Sequence, residues 1–338
     1  MYTERRYNYW TTIKWSRKGL YFGAATGLIA YVLHEIIGHD WFYVPWQPVA
    51  LVGTALAFYL GFKNNVSYDR LWEARKIWGA IVNGSRSFAA AVMGFVGNLH
   101  ASERLSDAEL HAIHRRLIFR HLAWITCLRF QLRTPRTWEH KEEMINNYFP
   151  NFNTPEFNSM LEQEICVFLS KEEMAQLEGV SNRATQVLAM QTKDLQQLRE
   201  AGLIDDFRHL ELQRFVSAMY DEQGKSERIK NFPFPRQYAT IPLLFTKIVS
   251  ILLPLSLVHE IESNDPNLMW CVVPFNAIVT WVFILMEMIG DYSENPFEGT
   301  YNDVPIFSIS RTIEIDLKEM LREKEVPPAI QPVDGMLM

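Results

Sequence analysis

Three side chains in the first forty residues have the residue types of a metal-binding motif. His34 and Glu35 are followed by His39, and a zinc-protease helix carries two histidines with a glutamate between them. That motif needs the histidines four residues apart, because only then do they share one helix face. Here the separation is five, which turns the second histidine away. A loop between two apolar segments is the favoured interpretation.

A second pair of histidines lies in the polar middle of the chain. His111 and His114 are three residues apart, with Glu109 close by. They could bind a metal ion, but no third ligand is apparent, and a solvated helix face is favoured. The sequence also contains no Gly-rich phosphate loop, no nucleophile elbow and no paired catalytic carboxylates. We therefore predict no enzyme activity, no metal site and no cofactor.

Lys247 is the one charged residue in an otherwise apolar segment, 238–258, that also holds Pro242 and Pro254. A lysine at the centre of a bilayer costs about 2.5–3.5 kcal/mol on insertion scales. Such a residue marks a functional site by default. The alternative is a lysine that snorkels to the interface or pairs with other protein groups, and sequence alone leaves both open.

The apolar residues are concentrated in four segments of helical length, although the overall composition, 48% hydrophobic with a net charge of -6, is that of many soluble proteins. The segment 41–62 has 22 residues without a charge, enough to cross the hydrocarbon core of a bilayer as a helix. The fold class is therefore an all-α membrane protein with four transmembrane helices and a large cytoplasmic helical region. The predicted regions are an N-terminal segment 1–18, transmembrane helices 1 and 2 in 19–62, a cytoplasmic helical region 63–237, transmembrane helices 3 and 4 in 238–286, and a tail 287–338.

Helical patterns cover most of the polar region. The second apolar helix is predicted to continue to about Val92, and another helix runs from Ser106 to about Thr134, opened by a capping-box pattern. Residues 145–160 lack periodicity and are interpreted as a loop. Further predicted helices begin near Ser170, run over 184–198, run from Asp205 to about Glu222 after a break at Gly202, and run over 309–323.

The two short connections between apolar segments contain acids but no Lys or Arg, which by the positive-inside rule places both termini and the middle region in the cytoplasm. The longest Lys/Arg runs are too short for a nucleic-acid-binding patch, so we predict no nucleic-acid partner. The three cysteines are far apart and form no disulfide framework or CxxC site.

Thr54, Phe58 and Phe62 lie four residues apart and share one face of the second apolar helix. Aromatic residues at this spacing commonly pack against neighbouring helices. Small residues on the other faces, including Gly53 and Gly61, allow close helix packing there, which would leave the Thr/Phe/Phe face for a cavity. Rings of apolar side chains can narrow a pore and close it by dewetting, but four spans cannot enclose such a pore, so this interpretation requires an oligomer.

Two motifs at the ends of apolar segments resemble those of bacterial bestrophins. One follows the second segment and the other, Asn-Pro-Phe, follows the fourth. Similar residues occur at 241–244, 301–305 and 311–316, so the resemblance covers nearly the whole chain. The motif residues are Gly61, Tyr68, Asp69, Arg70, Trp72, Glu73, Arg75, Trp78, Asn295, Pro296 and Phe297.

The resemblance implies a homopentameric ion channel in the bacterial inner membrane, whose partners are copies of itself, the lipid bilayer and permeant inorganic ions. The family's hydrophobic neck maps to Thr54, Phe58 and Phe62, with threonine where an aliphatic residue is usual. A second, cytoplasmic constriction maps near Ile204 and Phe207. The calcium-binding acids of animal members are incomplete here, so no calcium gating is expected.

Selectivity between anions such as chloride and monovalent cations stays open at this stage, because the family label points to anions and the acidic outer loops favour cations. The alternative function is a non-conducting membrane scaffold or signalling protein.

Overall fold

The computed structural model describes residues 1–38, 44–99, 101, 103–140 and 154–338, and helices form nearly all of its regular structure. Their bounds are α1 Tyr9–Ile37, α2 Trp46–Phe95, α3 Asp107–Arg133, α4 Pro155–Asn158, α5 Leu161–Ile165, α6 Lys171–Ala175, α7 Arg183–Glu200, α8 Asp206–Asn231, α9 Arg236–Asn264, a 3₁₀ helix Pro266–Cys271, α10 Val272–Asp291 and α11 Ile306–Met320. Within the described ranges the β-structure consists of isolated bridges, which join Tyr2 to Met336 and Val333 to Met336. The all-helical prediction is confirmed.

The chain divides into two compact units. The apolar unit comprises Glu4–Leu71 and Pro233–Asn295, and the polar unit comprises Met1–Thr3, Trp72–Phe232 and Pro296–Met338.

In the described part of the chain, three stretches are long and apolar enough to cross a membrane: Tyr9–Ile37, Asp206–Asn264 and Pro266–Asp291. They contain the predicted first, third and fourth spans. Residues 46–62 of the predicted second span form the first part of α2, and α2 is not among the three. A count of four spans therefore stays a prediction.

In the apolar unit, α1 packs closely on α10 through glycines spaced four residues apart. A Cβ atom added to Gly23 would lie 2.9 Å from the Cα of Ala277 and from the carbonyl oxygen of Asn276. The Asn276 side-chain amide donates to the Gly23 carbonyl at 2.7 Å and to the Thr26 hydroxyl at 2.9 Å. The small residues permit close packing, and the buried amide fixes the register between the helices.

In the polar unit, α3 lies at the centre of the packing and is buried along its second half. Its N-terminus has the predicted capping box, in which Ser106 and Glu109 bond to each other's backbone N–H groups. The His121 ring contacts the Ser85 hydroxyl at 2.8 Å, and Ser85 donates to the Ile81 carbonyl at 2.6 Å. His121 Nε2 must therefore carry the proton, which ties α3 to the second half of α2.

Two predicted boundaries in the polar unit are wrong. α8 continues to Asn231 instead of ending near Glu222, because side chains such as Gln223, Ser226 and Ile229 keep the buried helical spacing. The predicted loop 145–160 ends in the single-turn helix α4, and its residues 145–153 lie outside the described ranges.

The other predicted helices of this unit are confirmed within a few residues. Gly202 has a φ of 69°, a left-handed conformation that suits glycine and separates α7 from α8.

Candidate pore-lining face and its supports

The face of α2 that carries Thr54, Phe58 and Phe62, here called the neck face, is open in the protomer. Phe58 is 68% exposed and Phe62 is 65% exposed, and Thr54 is exposed as well. The Thr54 hydroxyl donates to the Ala50 carbonyl at 2.8 Å, so its hydrogen bond is made within the helix. The neck face is therefore free to contact whatever lies next to the protomer.

The opposite face of α2 is buried in the apolar unit. Leu56 and Leu60 are fully buried and pack with Val249 of α9 and with Phe283 and Met286 of α10. This packing fixes the rotation of α2 about its axis. The neck face consequently points away from the protein's own core.

A buried ion pair holds α2 directly after the neck face. Lys63 is fully buried, and its ammonium lies 2.9 Å from a carboxylate oxygen of Glu287 and 3.9 Å from one of Glu294. Glu294 also lies 3.5 Å from the Arg236 guanidinium. The sequence reasoning missed this pair. The available signal is that Lys63 and Glu287 each come directly after an uncharged apolar segment.

Gly290 makes room for this ion pair. A Cβ atom there would overlap the Asn64 side-chain oxygen and would lie 3.3 Å from two carbons of Lys63. Gly290 therefore leaves space for these two side chains where α10 ends against α2.

The motif residues of the apolar unit lie in the last turns of its part of α2. Gly61 is half-buried, while Tyr68 and Asp69 are exposed. The Arg70 guanidinium lies 5.8 Å from the centre of the buried Phe234 ring. Asn295, at the end of this unit, is buried.

In the polar unit, the two predicted motifs meet through their aromatic residues. Trp78 and Phe297 are both fully buried, with ring centroids 6.5 Å apart. Pro296 is buried, Trp72 and Arg75 are exposed, and Glu73 pairs with Arg228 at 2.8 Å. The Trp78–Phe297 contact gives the two motifs a shared structural role.

The loop after Asn-Pro-Phe folds around the carboxylate of Asp303. This carboxylate accepts hydrogen bonds from the backbone N–H groups of Phe297, Gly299 and Val304 at 2.6–2.9 Å. The Arg133 guanidinium pairs with it at 2.5 Å, and both side chains are 1% exposed. Phe297 adopts a left-handed φ of 71°, strain that the surrounding contacts must hold in place.

This loop does not fit a calcium site. Ca²⁺ needs six to eight oxygen ligands, whereas the Asp303 carboxylate is already engaged by Arg133 and three N–H groups. No group of three metal-ligating side chains occurs in the described ranges. A fixed arginine therefore balances the charge that a bound cation would otherwise balance.

Two further pairs of titratable side chains border this loop. Lys230 lies 2.6 Å from Glu139 and donates to the Phe297 carbonyl at 3.3 Å, and His140 lies 3.1 Å from Glu298. Burial lowers the pKa of Lys230, against the raising effect of Glu139. Burial likewise raises the pKa of Glu298, against the lowering effect of His140.

The two candidates for the cytoplasmic constriction differ in exposure. Ile204 is 2% exposed and lies in the core of the polar unit, whereas Phe207 at the start of α8 is 85% exposed. Only Phe207 presents its side chain to the surroundings of the protomer.

The described histidine candidates make ordinary structural contacts, and the lysine candidate is exposed. The His111 and His114 rings lie 3.0 and 2.9 Å from the backbone carbonyl oxygens of Leu321 and Val96, and His111 is exposed while His114 is half-buried. His34 lies 3.3 Å from Glu262, and His39 lies outside the described residues.

Lys247 is exposed on α9, so any group that balances its charge lies outside the described part of the protomer.

A chain of long apolar helices with an open aromatic face and a separate polar helical unit belongs to the class of multi-span helical membrane proteins. Residues 16–319 match the model of the bacterial and fungal bestrophin proteins. The chain therefore belongs to the bestrophin family, which confirms the resemblance drawn from its motifs.

Named relatives and solved structures agree with this assignment. The chain is 26% identical over 301 residues to the voltage-dependent anion channel-forming protein YneE of Escherichia coli (strain K12), covering 86% of this chain and 85% of that one. It is 26% identical over 287 residues to the voltage-dependent anion channel-forming protein mll4386 of Mesorhizobium japonicum, covering 85% and 78%. A bacterial bestrophin homologue from Klebsiella pneumoniae has the same fold, with a TM-score of 0.73, 22% identity and coverage of 91% and 98%.

Proposed function

We propose that this protein is a homopentameric ion channel in which the neck faces of five α2 helices surround the ion path. The names of its relatives, which describe channel formation, support conduction. The observation that carries the proposal is the orientation of α2: Leu56 and Leu60 are fully buried, while Phe58 and Phe62 are more than 60% exposed.

In this arrangement the two phenylalanines form successive rings about 6 Å apart along the axis. Apolar rings of this kind exclude water and thereby oppose ion entry. The Thr54 ring is more polar and forms a wetter entrance, so the barrier falls at Phe58 and Phe62. The Lys63–Glu287 pair, with its 2.9 Å contact, holds the narrow end of the helix in position.

The cytoplasmic exit is assigned to Phe207, because Ile204 is buried within its own protomer. The protein crosses the bacterial inner (plasma) membrane several times, with both termini and the polar unit in the cytoplasm, as the Lys/Arg distribution favours. Its partners are copies of itself, lipid and the permeant inorganic ions.

Phe58→Ala tests the proposal in planar bilayers, since shortening a ring of five side chains widens the neck and raises the single-channel conductance severalfold. Phe275→Ala is the matched control, because Phe275 is a 54% exposed phenylalanine on α10. Light scattering of the purified protein should give five times the protomer mass of 39.5 kDa. A monomer, or equal conductance in both variants and the wild type, contradicts the proposal, and liposome flux equal to that of empty vesicles favours a scaffold.

A further inference from the structure

The neck face of α2 continues past Phe62 with polar residues. In a helix of 100° per residue, Asn65 and Asp69 lie within the same 80° sector as Thr54, Phe58 and Phe62. Asp69 comes seven residues after Phe62, which places it about 10 Å further along the helix axis. Its side chain is exposed. The first carboxylate after the narrow neck is therefore on the neck face.

The other charged residues in this part of α2 do not compensate Asp69 on that face. Lys63 is fully buried and is neutralised by Glu287 and Glu294. Arg70 is half-buried and lies over the Phe234 ring. The side chain of Asp69 has no ion pair among the described residues. Within the apolar unit's part of α2, the exposed charge on the neck face is thus a single negative one.

We propose that Asp69 is the residue that sets the preference of this channel for small monovalent cations over anions. The inference rests on the proposed function, since five neck faces around one axis would bring five carboxylates into a ring beneath the neck. At a ring radius of about one Debye length, five partly screened charges raise the local cation concentration roughly fivefold and lower the anion concentration by a similar factor.

This assignment differs from the names of the relatives, which describe anion channels. The side chains of Thr54, Phe58 and Phe62 carry no charge, so the neck itself favours neither cations nor anions. The sign of the permeant ion must then come from the charges next to the neck, and Asp69 is the nearest exposed one on the neck face.

The test is the reversal potential in planar bilayers across a tenfold KCl gradient. The reversal potential of the wild type should have the sign of the K⁺ equilibrium potential. Asp69→Asn should lower the K⁺/Cl⁻ permeability ratio at least fivefold. Glu319→Gln is the matched control, because it removes an exposed acid on α11. Lys76→Gln removes a positive charge seven residues further along the same helix face and should shift the ratio in the opposite direction.

A measurement on the unmodified protein covers the case in which Asp69→Asn does not fold. Raising both KCl concentrations tenfold shortens the screening length, so the wild-type permeability ratio should fall toward one. An anion-selective wild type, a salt-independent ratio, or equal reversal potentials for Asp69→Asn and Glu319→Gln would each overturn the role of Asp69. Absence of current in every protein, with Phe58→Ala also silent, would instead refute the pore itself.

Discussion

Replacing Lys63 by methionine should destabilise the apolar unit more than any other lysine substitution in that unit. The Lys63 side chain is completely buried. Its partners are also buried, since the side chain of Glu287 is 8% exposed and that of Glu294 is 3% exposed. Removing the cation leaves Glu287 buried without its partner, while Glu294 keeps Arg236 at 3.5 Å. Removal of one member of a buried pair costs about 3–5 kcal/mol.

The loss of stability should depend on which of Lys63, Glu287 and Glu294 is replaced. Glu294→Gln leaves Lys63 with Glu287 at 2.9 Å and should cost less, on the order of 1–2 kcal/mol. The double variant Lys63→Met/Glu287→Met should recover most of the loss, because two apolar side chains of similar volume often replace a buried pair without penalty.

The assay is the thermal unfolding midpoint of the detergent-solubilised oligomer, followed by tryptophan fluorescence. For Lys63→Met we expect a drop of roughly 5–10 °C. Lys247→Met is the matched control, since Lys247 is exposed, and it should leave the midpoint nearly unchanged. Equal midpoints for Lys63→Met and Lys247→Met, or a double variant as unstable as the single one, would refute the reasoning.

Three further predictions concern the rest of the chain. Burial lowers the pKa of His121 to about 3. Between pH 6.5 and 3, His121 is therefore protonated in the unfolded chain but stays neutral in the folded chain. Stability should fall between pH 6.5 and 3 by up to about 1.4 kcal/mol per unit, and chemical unfolding of His121→Gln should show a shallower slope. Gly23→Ala should lower the thermal midpoint through the 2.9 Å backbone approach, whereas Gly53→Ala, in open space, should raise it slightly. Asp303→Asn leaves the buried Arg133 with the more distant Glu156 carboxylate at 3.9 Å and should cost about 1–3 kcal/mol, while millimolar Ca²⁺ should not move the wild-type midpoint, and a Ca²⁺-induced rise would contradict the account of this loop.

The sequence predicted the helices well because their signals are local. The uncharged segment 41–62, the capping box at Ser106 and the break at Gly202 each depend on residues close together in the chain. The spacing of Thr54, Phe58 and Phe62 likewise placed them on one face.

The contacts between distant residues could not be predicted in the same way. Lys63 with Glu287 and Arg133 with Asp303 join positions more than 160 residues apart, and no local pattern indicates such pairings. The sequence also contained no indication of burial for Ile204 and Phe207. They are three residues apart, but Ile204 is buried and Phe207 is exposed. The end of α8 was placed too early because buried polar residues such as Gln223 do not register as apolar periodicity.

The central claim is that the neck face lines the ion path with Thr54 at its wetter entrance, and thiol modification of Thr54→Cys tests it most directly. The background should be Cys166→Ser/Cys271→Ser, because Cys166 is exposed and Cys271 is partly exposed, whereas Cys127 is buried. A charged, membrane-impermeant thiosulfonate added to the outer side should block the bilayer current of Thr54→Cys within minutes and should leave Phe275→Cys unaffected. An unblocked current through Thr54→Cys, or equal block of Phe275→Cys, would contradict the claim.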